Sequence, residues 1–410
     1  MHKPSRHGSW KSTLYAVLFA QFVSAVGFSS VFPFLSLYVQ ELGTNTGLGV
    51  EFWAGMAFSA QAFTMMIAAP IWGAVADRYG RKLMVERAMF GGAILLFFMG
   101  LVRSAEGLAL LRAVQGMVTG VVSASTALVA SVAPRERSGY ALGALQMGFW
   151  CGTALGPLIG GFIADTWGYQ AAFYVTGVLL AIAGVVIWLG ISEVRGMGAP
   201  GGARAFVRSW REILSSPGIG LTYGARSLTW LARTMLVPIT PLFVQALIPH
   251  SPHLNTYTGL MVGVASATGT VSAIYLGRLG DRIGHRRVLV TSAVAAGVFY
   301  LVQSFVTQAW HLLVLQALAG VAIGGIVPSV SALLNGYSQP GKEGAVYGLD
   351  SSVQAAARTV APLAGTAVAS WVGLQAPFAV AGFLFFVTAA LAARWLPRSQ
   401  PQAAGQPEVL

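Results

Sequence analysis

Five ionisable side chains stand inside otherwise apolar runs of this sequence: Arg112, Arg226, Arg233, Asp350 and Arg358. A charge in a low-dielectric setting is costly, so it faces a wet cavity or a partner rather than hydrocarbon and is a functional candidate by default. Four cations against one carboxylate make a cavity net positive, which attracts anions and repels cations. Arg226 and Arg233 are seven residues apart, two turns along one helix face, and Asp350 and Arg358 are eight apart. Gln146, Trp150, Trp230 and Gln354 offer amide hydrogen bonds and flat aromatic faces suited to broad selectivity. Together with Arg233 and Arg358 they form the candidate substrate-binding set, and Asp350 is the best titratable group beside them. This is binding chemistry. The chain has no HExxH, no Walker-type loop and no His pair at metal-ligand spacing within its apolar runs, so neither an enzyme, a metal nor a cofactor is expected. Cys151 is the only cysteine and reads as packing, while His250 and His253 sit in a Pro-rich loop and read as solvated.

The elements that must hold these groups are membrane spans. Of 410 residues, 55% are hydrophobic and only 9% charged, against roughly a quarter charged in soluble domains. Apolar runs fall near residues 13–40, 52–76, 84–103, 107–133, 140–165 and 170–192, then 218–246, 256–276, 288–305, 309–336, 344–370 and 375–396. The first is too long for a signal-peptide core and reads as an uncleaved span. With a cytoplasmic N-terminus, 20 of the 25 Lys and Arg residues fall on the cytoplasmic side, only Arg103 falls outside, and four lie within spans. That bias fixes the orientation, with both termini inside. The external loops carry Glu41, Glu51, Glu106 and Asp165 instead. A net charge of +12 could suggest nucleic acid, but the charges sit in short clusters between apolar runs, so the expected partners are the lipid bilayer and a small molecule. The organisation is a six-helix bundle over 1–192, a Gly- and Arg-rich linker over 193–217 with an amphipathic piece from Ala205 to Leu214, and a second bundle over 218–410.

The two bundles are copies. At an offset of 204 or 205 residues, Pro33 meets Pro238, Asp77, Arg78 and Gly80 meet Asp281, Arg282 and Gly284, and Gly116 meets Gly320. Gly143, Pro157, Gly168 and Phe173 meet Gly348, Pro362, Gly373 and Phe378. Matches on Pro, Gly, Asp and Arg carry backbone or charge constraints that chance similarity of apolar runs would not produce. Cytoplasmic turns match cytoplasmic turns, so the repeat is parallel.

The turn GAVADRYGRK, Gly73 to Lys82, reads G-x-x-x-D-R-x-G-R-K, and its partner GRLGDRIGHRR has His285 where an Arg would stand. This resembles the signature loop of the major facilitator superfamily. Physically, Gly73 allows close helix approach, Gly80 and Gly284 permit tight turns, and Asp77 accepts bonds at a helix N-terminus or from a guanidinium. The resemblance implies gating roles for Asp77, Arg78 and Arg81, with Asp281 and Arg282 in the second turn. LLRAVQGMVTG is similar to the superfamily motif whose Arg is linked to proton coupling, here Arg112, on a helical face with Gln115, Gly116 and Gly120. GALQMGFWCGTALGPLIGG, with Gly152, Gly156, Pro157, Gly160 and Gly161, resembles the antiporter motif of the drug exporters in that superfamily. Its glycines at every fourth position suit close helix packing and Pro157 suits a kink. Pro33, Pro238 and Pro241 are hinges or helix terminators, evenly balanced.

The resemblance implies twelve transmembrane helices in two pseudo-symmetric bundles and a secondary transporter of the bacterial inner membrane. It would export neutral, amphipathic or anionic compounds by alternating access, with the proton gradient as energy source, as a functional monomer. The alternatives are an uptake or exchange carrier for organic anions, and a non-transporting receptor or channel.

Overall fold

The computed structural model describes residues 10–134, 137–191, 218–337 and 343–396. The amphipathic piece Ala205 to Leu214 and both chain ends lie outside the described residues. The described elements are all helices: α1 (Trp10–Ser30), α2 (Leu35–Leu42), α3 (Val50–Tyr79), α4 (Arg81–Leu101), α5 (Ala105–Val118), α6 (Val121–Val132), α7 (Ser138–Trp167), α8 (Tyr169–Gly190), α9 (Ile219–Thr234), α10 (Ile239–Leu247), α11 (Leu254–Ile283), α12 (His285–Gln303), α13 (Ala309–Tyr337), α14 (Glu343–Val372) and α15 (Ala376–Trp395). Large apolar side chains such as Phe98, Met147, Leu189 and Phe383 stand exposed on them, which suits lipid as the surrounding solvent.

Three spans are broken. Pro33 lies in the turn between α1 and α2, and Pro238 closes the turn between α9 and α10, a pair bent by 40°. Proline has no N–H for the helical ladder, so each break falls where the chain loses a donor. In both cases the helix resumes beyond it, so these two prolines bend a span rather than end it, and Pro241 sits in the first turn of α10. The third break separates α5 from α6 at Thr119 and Gly120, where Gly120 has φ 144°, a conformation that disfavours any side chain. Gly120 therefore does not continue the helical face of Arg112, Gln115 and Gly116, contrary to the expectation from spacing.

With each broken pair counted once, the helices form twelve consecutive segments. Among the described residues, eight helices, or nine spans with the bent pair, are long and apolar enough to cross a membrane. The three segments that fall short are α5–α6, α12 and α14. They carry Arg112 and Gln115, the His285 to Arg287 run, and Asp350, Gln354 and Arg358 respectively. Apolarity drops where the polar chemistry is concentrated.

The repeat is visible in the backbone and in the bonds. Gly80 and Gly284 have φ 115° and 96°, and Gly168 and Gly373 have φ 86° and 118°. Phe173 and Phe378 are both fully buried. Thr64 Oγ1 donates to the Ala113 carbonyl at 2.6 Å, and Thr268 Oγ1 to the Ala317 carbonyl at 2.9 Å, tying α3 to α5 and α11 to α13. Lys82 Nζ donates to the Trp188 carbonyl at 2.8 Å and Arg286 Nε to the Ala392 carbonyl at 3.0 Å, so a cation meets the free carbonyls at the end of α8 and of α15.

The chain divides into two compact units. One comprises Met1–Pro200, Val237–Gly263 and Arg358–Leu374; the other comprises Gly201–Leu236, Val264–Ala357 and Gln375–Leu410. In the first unit, α7 packs on α1 through Gly152, Gly156 and Gly160. An added methyl at these positions would collide with the backbone of Phe22, Val26 and Ser30. Where lipid is as apolar as leucine, such close backbone contact is what drives helices together.

Candidate functional site

The charged turns come first, since the loop that joins two helices fixes them. Gly73 and the side chain of Asp77 lie outside the described residues. Arg81, at the start of α4, donates from Nη1 to the Ala127 carbonyl of α6 at 2.7 Å, and Lys82 also pairs with Glu86 at 3.3 Å. Arg78 is exposed and lies 5.4 Å from the Tyr79 ring centroid. In the second turn Asp281 pairs with His285, one helical turn on, at 3.1 Å, and Arg282 is exposed. The residue that replaces an arginine in the second motif is thus the one that engages its carboxylate.

Within the first unit, Arg112 is 1% exposed. Its Nε donates to the Ala57 carbonyl at 3.3 Å and its Nη1 to Gln115 Oε1 at 2.9 Å. Gln61 Nε2 donates to the same oxygen at 3.3 Å, and the Phe58 ring centroid lies 5.7 Å from the guanidinium. Its Nη2 has no hydrogen-bond partner among the described residues. Among the described residues, this cation is held by neutral oxygens and a π face.

Within the second unit, Arg226 of α9 meets Asp350 of α14. Nε donates to Oδ1 and Nη2 to Oδ2, both at 2.8 Å, a two-bonded fork with both side chains buried. Ser331 Oγ accepts a further bond from Nη2 at 3.2 Å, and Gln354 Nε2 donates to Oδ2 at 2.8 Å. Of the four in-span arginines, Arg226 is the one that the single in-span acid neutralises. Gln354, expected as a substrate contact, has its amide nitrogen engaged by that acid. The fork was not read from the sequence. One acid among four arginines leaves its partner open, and α9 and α14 are 124 positions apart at the pair.

Seven residues beyond Arg226, Arg233 is set differently. Its guanidinium lies 5.6 Å from the Trp230 ring centroid and within electrostatic reach of Tyr300, whose ring stacks on Phe385 at 5.4 Å and 3°. No carboxylate pairs with Arg233 among the described residues. Gln146 is exposed on α7, and Trp150 stands edge-on to Phe149 at 5.5 Å, both in the first unit. Arg358, exposed on α14, belongs to that unit as well. Of the six expected substrate contacts, the structure joins Trp230 to Arg233 directly and Gln354 to the Arg226–Asp350 fork.

Comparison with known proteins agrees with this architecture. A relative from Dickeya zeae (strain Ech586) named "Multidrug resistance protein MdtG" is 35% identical over 385 residues, 93% of each chain. One of the same name from Citrobacter koseri is 33% identical over 92% of this chain and 93% of its own. Among solved structures, a bacterial homolog of the human lysosomal transporter Spinster, inward-facing and occupied, superposes with a TM-score of 0.76 at 14% identity, covering 98% of this chain and all of its own. The nucleoside transporter NupG gives 0.78 at 12% identity over 94% of this chain and all of its own. The model of the Major Facilitator Superfamily matches residues 17–250 and again 222–409, one match for each half of the duplication. The chain therefore belongs to the major facilitator superfamily and is a membrane transporter, not an enzyme.

Proposed function

We propose that this transporter exports small amphipathic compounds, neutral or anionic, by alternating access in exchange for protons. The observation that carries the charge preference is Arg233: a cation laid against Trp230 and near Tyr300, with no carboxylate paired to it among the described residues, seven residues from an arginine that has one. Aromatic faces accept apolar bodies of varied shape, while the guanidinium offers paired donors to a carboxylate, sulfonate or phosphonate. The name of the relatives, at 33 to 35% identity over most of the chain, supports drug export.

In this reading Asp350 takes the coupled proton. Protonation would remove the charge that Arg226 answers, so the fork between α9 and α14 opens and Arg226 is left for Ser331 or an incoming anion. Arg112 acts in the first half, and the charged turns at Asp77 and Asp281 gate the cytoplasmic side. The Lys and Arg bias supports an orientation with both termini inside; in this reading the membrane is a bacterial inner membrane, and the protein works as a monomer with a small-molecule substrate and the bilayer as its partners.

The test is efflux by cells lacking other pumps, across matched anionic, neutral and cationic compounds. The double variant Arg233→Ala, Arg358→Ala should lose anion export at least tenfold while keeping expression and neutral export. Unchanged anion export would sink the assignment. If anions instead accumulate in wild-type cells, the direction is uptake.

A further inference from the structure

The transport cycle needs a second gate, on the face of the first unit opposite the Asp77 turn, and the chain carries a carboxylate there that the sequence pattern placed in a plain external loop. Asp165 is in the last turn of α7, three segments along the chain from the end of α3 and so on the opposite face. Its Oδ1 accepts from Asn255 N at 3.0 Å and Asn255 Nδ2 at 2.7 Å; its Oδ2 accepts from Thr256 N at 2.7 Å and Thr256 Oγ1 at 2.6 Å. Asn255 and Thr256 open α11, whose first-turn N–H groups have no partner within their own helix. One carboxylate of the first half thus holds the start of a 30-residue helix of the second half by four bonds, aided by the positive end of the helix dipole.

The same seam is closed by packing. A methyl on Gly161 would strike the Asn255 carbonyl, one on Gly259 the Pro157 carbonyl, and one on Gly55 the Thr366 hydroxyl. All these residues lie within the first unit. The contact is one-sided across the repeat: at the matching offset Asp165 becomes Ser370, which bonds the Ala367 carbonyl of its own helix, and Asn255 becomes Glu51. Near the carboxylate, Tyr169 lies within electrostatic reach of Asp165 and of Glu41.

We infer that Asp165 is a positioning residue of the transport cycle: it latches α11 to α7 and holds this face closed in the state seen here, and must release α11 for the face to open. The inference rests on the alternating-access reading. Glycines allow the helices to meet closely, but only the carboxylate gives the closed state bonds that the open state lacks, which is what shifts a two-state equilibrium.

The experiment uses the full-length protein with Cys151→Ser and one reporter, Thr366→Cys, buried at the seam against Gly55. A membrane-impermeant maleimide is added to intact cells, with and without an anionic amphipathic dye such as carboxyfluorescein. The dye should change the labelling rate of the otherwise unaltered latch. Asp165→Asn should raise that rate about tenfold or more, and Thr256→Val, which removes one bond of four, by a smaller factor. A second reporter, Ser292→Cys, buried in the second unit, should stay unlabelled throughout. If the dye changes labelling but Asp165→Asn and Thr256→Val leave it as before, the latch is wrong and alternating access stands. If the dye changes nothing, alternating access fails and the latch with it. If Ser292→Cys also becomes reactive in both variants, Asp165 merely stabilises the fold.

Discussion

Arg112 in α5 and Arg226 in α9 are both withdrawn from solvent, at 1% and 6% exposure, yet their surroundings differ in kind. Arg226 is answered by a full negative charge through a two-bonded fork. Arg112 has an amide oxygen, one carbonyl and an aromatic ring, and one of its nitrogens has no partner among the described residues. A duplicated fold therefore supports two electrostatic arrangements. In one, a cation's surroundings can change only by rearranging neutral groups. In the other they change whenever a carboxylate gains or loses a proton. The second is a device that can be driven by a proton gradient, and the first is a fixed source of positive field.

The largest expected effect follows from breaking the fork on one side. Among the described residues, Arg226→Met leaves the buried Asp350 with Gln354 as its remaining donor, at a cost of about 3 to 5 kcal/mol, because an orphaned buried charge loses its Coulombic partner and keeps its desolvation penalty. Thermal unfolding of the detergent-purified protein should show this as a large drop in midpoint. The double variant Arg226→Met, Asp350→Leu should recover most of it, since two apolar groups of similar bulk leave no charge unanswered, while proton-coupled transport in liposomes stays lost. A double variant as unstable as the single one would mean that the fork is not the dominant interaction at this site.

Arg112→Met should be milder for stability. No carboxylate is stranded, Gln115 Oε1 keeps the Gln61 donor, and an unsatisfied nitrogen is removed. The loss should be roughly 1 kcal/mol, the net worth of ordinary hydrogen bonds. Transport should fall far more than stability does. A stability loss as large as that of Arg226→Met would reveal an acidic partner for Arg112 and erase the contrast between the halves.

What the sequence showed of this contrast depended on how local its signal was. The spans, the duplication and the glycine seam of α7 were legible because each rests on a repeated period or on residue types with a backbone consequence, as at Gly80, Gly284, Gly156 and Pro157. The Arg226–Asp350 fork was not, since nothing short of the fold says which of four arginines meets the single acid. Asp165 was hidden for another reason. A carboxylate at a span end reads as a solvated loop residue until the helix start it caps is known to lie beside it. The break at Gly120 was missed because helical spacing around Arg112 continues smoothly through it in the sequence, and only the backbone angle shows the interruption.

The smallest expected effect probes where the halves remain alike. Lys82 and Arg286 hold corresponding positions and bond the carbonyls of Trp188 and Ala392, themselves 204 residues apart. Each contact places a cation at the end of a helix, worth about 0.3 to 1 kcal/mol when largely exposed and more when partly buried. Lys82→Ala and Arg286→Ala should therefore each cost about 1 kcal/mol in thermal unfolding. Arg286→Ala should be the larger, because its guanidinium bonds both the Ala392 and the Ala393 carbonyls at the end of α15. Raised salt should shrink the effect of Lys82→Ala first, since its ion pair to Glu86 is the more readily screened. Were one of the two substitutions to cost as much as breaking the Arg226 fork, the duplicated cations would not be equivalent staples. One of them would then be carrying part of the gate that the charged turns form.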